Sequence, residues 1–378
     1  MAIELSSEDT LRLQVLLANE LHAVRIDESS MTVKALTDDG ERAVPLNPTG
    51  RDEQYLRAVR ELLSSHVLGS PGGYPVYIRR WTRMGQTRDG ILDRLLLLGE
   101  PEAVVAVVHA AGLTEELARR AWWALPTADT ARQMLRHEGV AASAMGPVLA
   151  EYLVEYLPFE TDPLSMAESV RLVLQPGLIG EHTRASLWGR GRQKTAYYIG
   201  FLQAVPDQLP DALPAHQSWE LACERLAALR AAGNGCADQL CRILGAGGQT
   251  FLATVEAALR RPADQDVVVA LLQSVESYFR AARPAGTEPE PTDMAIVLQC
   301  AEQLCRQGQD SGALGAVLEA APELESELQA TVALSMVGEP LIRPIFARSD
   351  AIGSVMRRQI EPVTKPIVEQ VARLRGRG

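Results

Sequence analysis

From about residue 87 onward the chain repeats one pattern, in which amphipathic segments of 10–18 residues are separated by Gly or Pro. Their apolar positions return every three or four residues, a period that gathers them on one helical face, and almost no strand-like alternation interrupts the run. The segments 89–98, 101–111, 114–124, 128–137, 142–157, 164–174 and 193–203 are each predicted to be a helix. Gly-Glu-Pro occurs at 99–101 and again at 338–340, where a Gly can close one helix in the left-handed conformation and a Pro can open the next. Joins this short make neighbours antiparallel. The expected fold is therefore mainly α, an irregular array of helical hairpins resembling a solenoid, with no fixed period that names a repeat family.

The N-terminal part reads differently. Leu11, Val15 and Ala18 lie at helical spacing in 7–18, with Ser6 or Ser7 available as a cap. Residues 22–46 are rich in β-branched side chains, and Asp39-Gly40 is a dipeptide that tight hairpins favour, so a short antiparallel meander is expected there. Tyr55, Val59, Leu62 and Leu63 mark another helix in 51–68 before Ser-Pro-Gly-Gly at 70–73. Pro-rich stretches at 206–214 and 284–291 read as linkers. The predicted division is a small α+β element at 1–73, an aromatic-rich helical domain at 74–210, and helical units at 215–283 and 292–378.

Composition limits what such an array does. The net charge of −11 disfavours duplex DNA, whose affinity comes from neutralising phosphates. The start is acidic and lacks the basic and apolar halves of a secretory signal, and the longest apolar tracts, 95–99 and 103–113, fall far short of the roughly 20 residues needed to cross a bilayer. A cytoplasmic protein that does not engage membranes is expected. Five cysteines, an odd number, do not suggest a disulfide framework.

Signals for chemistry are sparse. Cys236 and Cys241, and likewise Cys300 and Cys305, are five apart, so on a helix they point roughly 140° away from each other and do not converge on a metal. Buried structural thiols are expected, with Cys241 set apart as lying off the apolar stripe and hence the candidate for sulfur handling. His109 within its apolar helix reads as a hydrogen-bonded core residue. Gly-Lys never occurs, so there is no P-loop, and Gly189-x-Gly191 lacks the rest of a dinucleotide fingerprint. Gly-Ala-Gly-Gly-Gln-Thr at 245–250 reads as an inter-helix loop rather than an anion cradle. No cofactor, metal or catalytic residue is assigned, and the reading leans against an enzyme.

Twelve of the eighteen aromatic side chains fall between Tyr74 and Phe201. Arginines crowd both ends of that stretch: Arg79, Arg80 and Arg83 flank Trp81, while Arg184, Arg190, Arg192 and Lys194 flank Trp188. A guanidinium beside an indole suits a protein partner with an acidic groove or single-stranded RNA. The bland alternative pairs these arginines with acidic neighbours and turns the indoles inward. The basic C-terminal part from Arg343 reads as a solvated, frayed tail.

The strings YPVYIRRWTRMGQ (74–86), LLLLGEPEAVVAVVHAAGLTEELARRAWWALP (95–126), EYLPFE (155–160), RLVLQPGLI (171–179), AYYIGFLQAVPDQLP (196–210) and LANELHAVRIDESSM (17–31) resemble the DsrS family of sulfur-oxidation accessory proteins. That family is encoded alongside reverse dissimilatory sulfite reductase. The resemblance implies an accessory or regulatory protein of cytoplasmic sulfur oxidation, and carries no catalytic or ligand residues with it. Its alternative within the same pathway is a cysteine-dependent persulfide carrier.

Overall fold

A computed structural model describes residues 5–70, 91–283, 291–307 and 312–377. They form a mainly helical protein with one small three-stranded antiparallel sheet near the N-terminus, as the periodicity predicts. The chain divides into two compact units, Met1–Tyr156 and Leu157–Gly378.

In the first unit, α1 (Ser7–Leu17) begins at Ser6, whose hydroxyl accepts a hydrogen bond from the Asp9 amide at 3.1 Å. The meander β1 (Ala23–Asp27), β2 (Thr32–Thr37) and β3 (Gly40–Pro45) follows, with Val24 opposite Ala35 and Val33 opposite Val44. Gly40 takes φ +110 in the predicted hairpin turn, a conformation open to glycine at little cost. One face of the sheet is apolar, and α2 (Asp52–Leu68) covers it: Tyr55, Leu56, Val59 and Leu63 pack with Leu13, Leu16, Val24 and Val33. Beneath them the buried Tyr55 hydroxyl donates to the Asp9 carboxylate at 2.5 Å, and the Asn47 amide donates to the same oxygen.

The unit continues with α3 (Leu92–Leu95), α4 (Pro101–Val108), α5 (Glu115–Ala124), α6 (Ala128–Leu135), α7 (Glu138–Ala141) and α8 (Met145–Tyr156). Gly99 at φ +67 and Pro101 in the first turn of α4 make the predicted join. Thr114 and Thr127 cap α5 and α6 through their hydroxyls. His109 is a correction: it ends α4 on the surface, its ring bonded to the Val105 carbonyl at 2.8 Å, rather than in the core.

The second unit comprises α9 (Pro163–Val173), α10 (Glu181–Arg190), α11 (Thr195–Ala204), α12 (Trp219–Arg225), α13 (Ala227–Ala231), α14 (Gly235–Leu244), α15 (Ala246–Arg260) and α16 (Gln265–Phe279). After these come α17 (Met294–Gln307), α18 (Ala313–Ala320), α19 (Glu325–Ser335), α20 (Arg343–Phe346) and α21 (Gly353–Leu374). Helices α9 and α11 cross very closely, because a Cβ on Gly200 would lie 2.6 Å from Val170 and 2.7 Å from the Ala167 carbonyl.

Several expectations change here. The units part at 156–157, not at the Pro-rich stretch 206–214, which is anchored inside the second unit: Leu209 is buried and the Leu213 amide donates to Thr250 Oγ1. Segment 284–290, the core of the other expected linker, lies outside the described residues. At 338 the repeated Gly-Glu-Pro has an extended glycine and opens a 3-10 turn, so only its proline plays the predicted part. Gly-Ala-Gly-Gly-Gln-Thr is the first turns of α15 rather than a loop; a Cβ on Gly248 would meet the Ile243 carbonyl at 2.3 Å, so close packing of α14 against α15 demands the glycine. The C-terminal part is no frayed tail, since α21 buries Met356, Ile360, Ile367 and Val371, and Arg375 beyond it forms a partly buried ion pair with Glu256.

Candidate functional site

Of the two Arg-bearing ends, Arg79, Arg80, Trp81 and Arg83 lie outside the described residues. The other end is built by the turn that joins α10 to α11. Trp188 is turned inward and only 7% exposed, its ring 4.7 Å from Tyr198 and 5.1 Å edge-on to Phe201. Its indole N–H donates to Asp211 Oδ2 at 2.9 Å. Asp211 itself sits at φ +58, a left-handed conformation that Asp tolerates better than most residues, and the same carboxylate oxygen lies 3.6 Å from Arg192. Burial raises the Tyr198 phenol, which Arg192 partly offsets.

Gly191 explains the Trp-Gly-Arg-Gly string without any phosphate. A Cβ there would lie 2.3 Å from the Tyr198 ring, so the glycine lets the turn close over the aromatic base. Nothing crowds Gly189, and no feature of the fold accounts for it.

The charged groups of this turn divide. Arg184 is half-buried, donates to the Gln208 carbonyl and lies 3.8 Å from Glu181. Arg192 is largely exposed despite its contact with Asp211. Arg190 and Lys194 are exposed and make no ion pair among the described residues. Thr195 Oγ1 donates to the Arg261 carbonyl at 2.9 Å, which brings the exposed Arg261 beside the same turn. Arg261 lies far in sequence from the cluster around Trp188; the Arg-Arg-Pro at 260–262, basic residues ending a helix, is the signal that marks it. The result is a rigid aromatic base carrying a rim of cations.

In the first unit none of Trp122, Trp123, Tyr152 and Tyr156 is buried in the core. Trp122 and Tyr152 meet edge to face at 4.8 Å, Tyr152 stacks on Tyr156 at 6.1 Å, and all three are at most half-buried. Arg25 lies over Trp123 at 4.7 Å, and both reach Glu41. Arginine and indole do pair in this protein, but here within the fold.

A second feature of the second unit is a cleft of about 350 Å³ lined by Arg171, Gln203, Arg242, Gln273, Ser277 and Tyr278. Arg242 holds Asp207 through two bonds, at 2.9 and 2.7 Å, and lies 3.9 Å over the Tyr278 ring. The Tyr278 hydroxyl donates to Asp207 at 2.9 Å, while Phe251 stacks on its other face at 3.8 Å. Burial first, then the Asp207 charge, pushes the phenol up. Arg242 also donates to the Gln239 side chain at 3.4 Å and to the Tyr278 carbonyl at 3.3 Å, so the cluster braces the 206–214 segment.

Cys241 departs from its expected position. The apolar face of α14 is wide enough to take in Cys236, Ala237, Leu240, Cys241, Ile243 and Leu244, and Cys241 is 3% exposed. Burial, followed by the neighbouring Cys223, pushes its thiol up to about 11. Among the described residues no group of three or more His, Cys, Asp and Glu could hold a metal ion, and no helix is long and apolar enough to cross a membrane. No family model, curated protein or solved structure matches this chain.

Proposed function

We propose that this chain is a non-enzymatic accessory or regulatory protein of the cytoplasmic dissimilatory sulfur-oxidation system, and that it docks an acidic surface of a protein partner through the α10–α11 turn. The pathway rests on the resemblance of residues 17–31 and 74–210 to DsrS. The docking role rests on one observation: Arg190 and Lys194 stay exposed and unpaired among the described residues while Trp188, Tyr198 and Asp211 hold their turn rigid. Exposed charge carried on a packed turn steers encounter and selects partners, although the two free side chains must be ordered on binding. A protein partner is favoured over RNA because the acidic chain repels a long polyanion outside the small basic rim.

The test is affinity capture from a lysate of a sulfur-oxidising bacterium at low salt, with the full chain and its Arg190→Glu/Lys194→Glu variant. Components of the dissimilatory sulfite reductase system should be retained by the parent chain, lost at higher ionic strength, and depleted at least several-fold by the variant. Identical partner lists would falsify the docking surface, and capture abolished by ribonuclease would transfer it to RNA. Persulfide carriage by Cys241, the rival role, has little support from a buried thiol held mostly protonated at neutral pH.

A further inference from the structure

Between the segment that enters α12 and the end of α21 lies a cleft of about 230 Å³, walled by residues 213–217 and 375–377 with Gln249. Arg375 and Arg377 line it, and no Asp or Glu does. His216 in its wall is only 8% exposed, and its ring Nε2 is buried with no hydrogen-bond partner among the described residues. The other ring nitrogen, Nδ1, accepts from the Ser218 amide at 3.2 Å, which in the neutral imidazole puts the proton on Nε2. Folded proteins seldom leave such a buried donor without an acceptor. Backbone bonds hold the ring in place, from the His216 amide to the Leu244 carbonyl at 2.8 Å and from the Leu213 amide to Thr250 Oγ1 at 2.9 Å. Nε2 faces the 375–377 wall, where a Cβ on Gly376 would lie 2.8 Å from it.

The charge around the cleft is positive. Glu256 is shared by Arg260 and Arg375, so with Arg377 three guanidinium groups stand against one carboxylate. Arg375 spends Nη1 on Glu256 and makes no other side-chain hydrogen bond among the described residues, and Arg377 is exposed and makes no ion pair among them. The carbonyl end of a helix repels anions, but the last carbonyls of α21 are already engaged. Leu374 accepts from Gln249 Nε2 at 2.9 Å, Arg373 from the Gly376 amide at 3.0 Å, and Ala372 from the Arg377 amide at 2.9 Å.

We propose that this cleft binds a small doubly charged oxyanion of the phosphate or sulfate type, whose oxygens accept from His216 Nε2–H and from the guanidinium groups of Arg375 and Arg377. A ligand rich in acceptors satisfies the orphaned donor, as neither a cation nor an apolar molecule does, and guanidinium forks match the oxygens of such an ion. Two negative charges balance the surplus of cations. The bound ion ties the 213–217 segment to the end of α21 and so stabilises the second unit. The cleft shares no residue with the α10–α11 turn, so either proposal can fail without the other.

The test titrates the full chain, labelled with ¹⁵N at histidine, with sodium phosphate and separately with sodium sulfate, at constant pH and with ionic strength held constant by sodium chloride. Of the six imidazole rings, the one missing from the spectrum of His216→Phe should shift at Nε2 and saturate, and sodium acetate should not reproduce the shift. Saturation by either ion supports the site, and the tighter ion identifies the ligand's chemistry. Arg377→Gln, a change at an exposed side chain, should weaken the apparent affinity at least several-fold. The wild-type urea midpoint should rise with the oxyanion and not with chloride. A His216 ring that does not move, a shift that acetate or chloride matches, or an affinity untouched by Arg377→Gln overturns the proposal. The Arg377→Gln titration and the midpoint series decide the matter whether or not His216→Phe folds.

Discussion

Gly191 and Tyr278 each show how a single side chain, or its lack, sets the second unit's geometry. Replacing Gly191 by Ala places a methyl group 2.3 Å from the Tyr198 ring, and the ring has Trp188 against it. Overpacking of this kind costs about 1–3 kcal/mol. The expected outcome is a lower midpoint in urea with a shift in Trp188 fluorescence, whereas Gly189→Ala, in open space within α10, should leave the fluorescence unchanged and stabilise the helix by about 0.5–1 kcal/mol. Tyr278→Phe keeps the stacking on Phe251 but removes the hydroxyl that donates to Asp207. Its expected cost is about 1 kcal/mol, measured by the same denaturation. Arg242 would still hold Asp207 by two bonds, so a loss much above that value would mean that the three groups act as a unit.

Helix–helix approach governs the next scale, and the α9–α11 crossing is the place to test it. Gly200 faces Val170 and the Ala167 carbonyl with no room for a Cβ, and Gly200→Ala must push the helices apart. A loss of about 1–3 kcal/mol follows, with faster hydrogen exchange in 163–173 and 195–204. Exchange unchanged in both helices would show that the crossing is not close. Periodicity made the helices themselves legible, because burial of one face is written in spacing: 101–111, 114–124 and 128–137 all contain their observed helix. Asp39-Gly40 announced its hairpin for the same local reason. What stayed illegible was non-local. Nothing in the sequence places Thr195 beside Arg261, and nothing says that the Pro-rich 206–214 would be braced by Arg242 rather than left free. The arginines around Trp188 were legible as a cluster, but which of them stay unpaired depends on Asp211 and Gln208, which arrive from another stretch.

For the whole chain, the distribution of buried titratable groups predicts an alkaline weakness in one unit. Cys241 and Cys305, both in the second unit, are pushed up to about 11 from an ordinary value near 9, chiefly by burial, and the Tyr278 phenol beside Asp207 is pushed up as well. A thiol whose folded value is raised favours folding while it is protonated in both states. That contribution is complete below about 9, because the unfolded chain then has no thiolate to gain. As pH rises from 9 towards 11 the unfolded thiols ionise and the folded ones do not, so stability falls by on the order of 1 kcal/mol per pH unit for each thiol. Urea denaturation at intervals from pH 7 to 11 should therefore show a level stretch and then a steep loss in the second unit. Replacing Cys241 and Cys305 by Ala should lower stability at neutral pH through the space they vacate, yet flatten the loss above pH 9. A slope unaltered by the double replacement would assign it to the tyrosines, and no slope at all would mean that these thiols are far better solvated than their burial indicates.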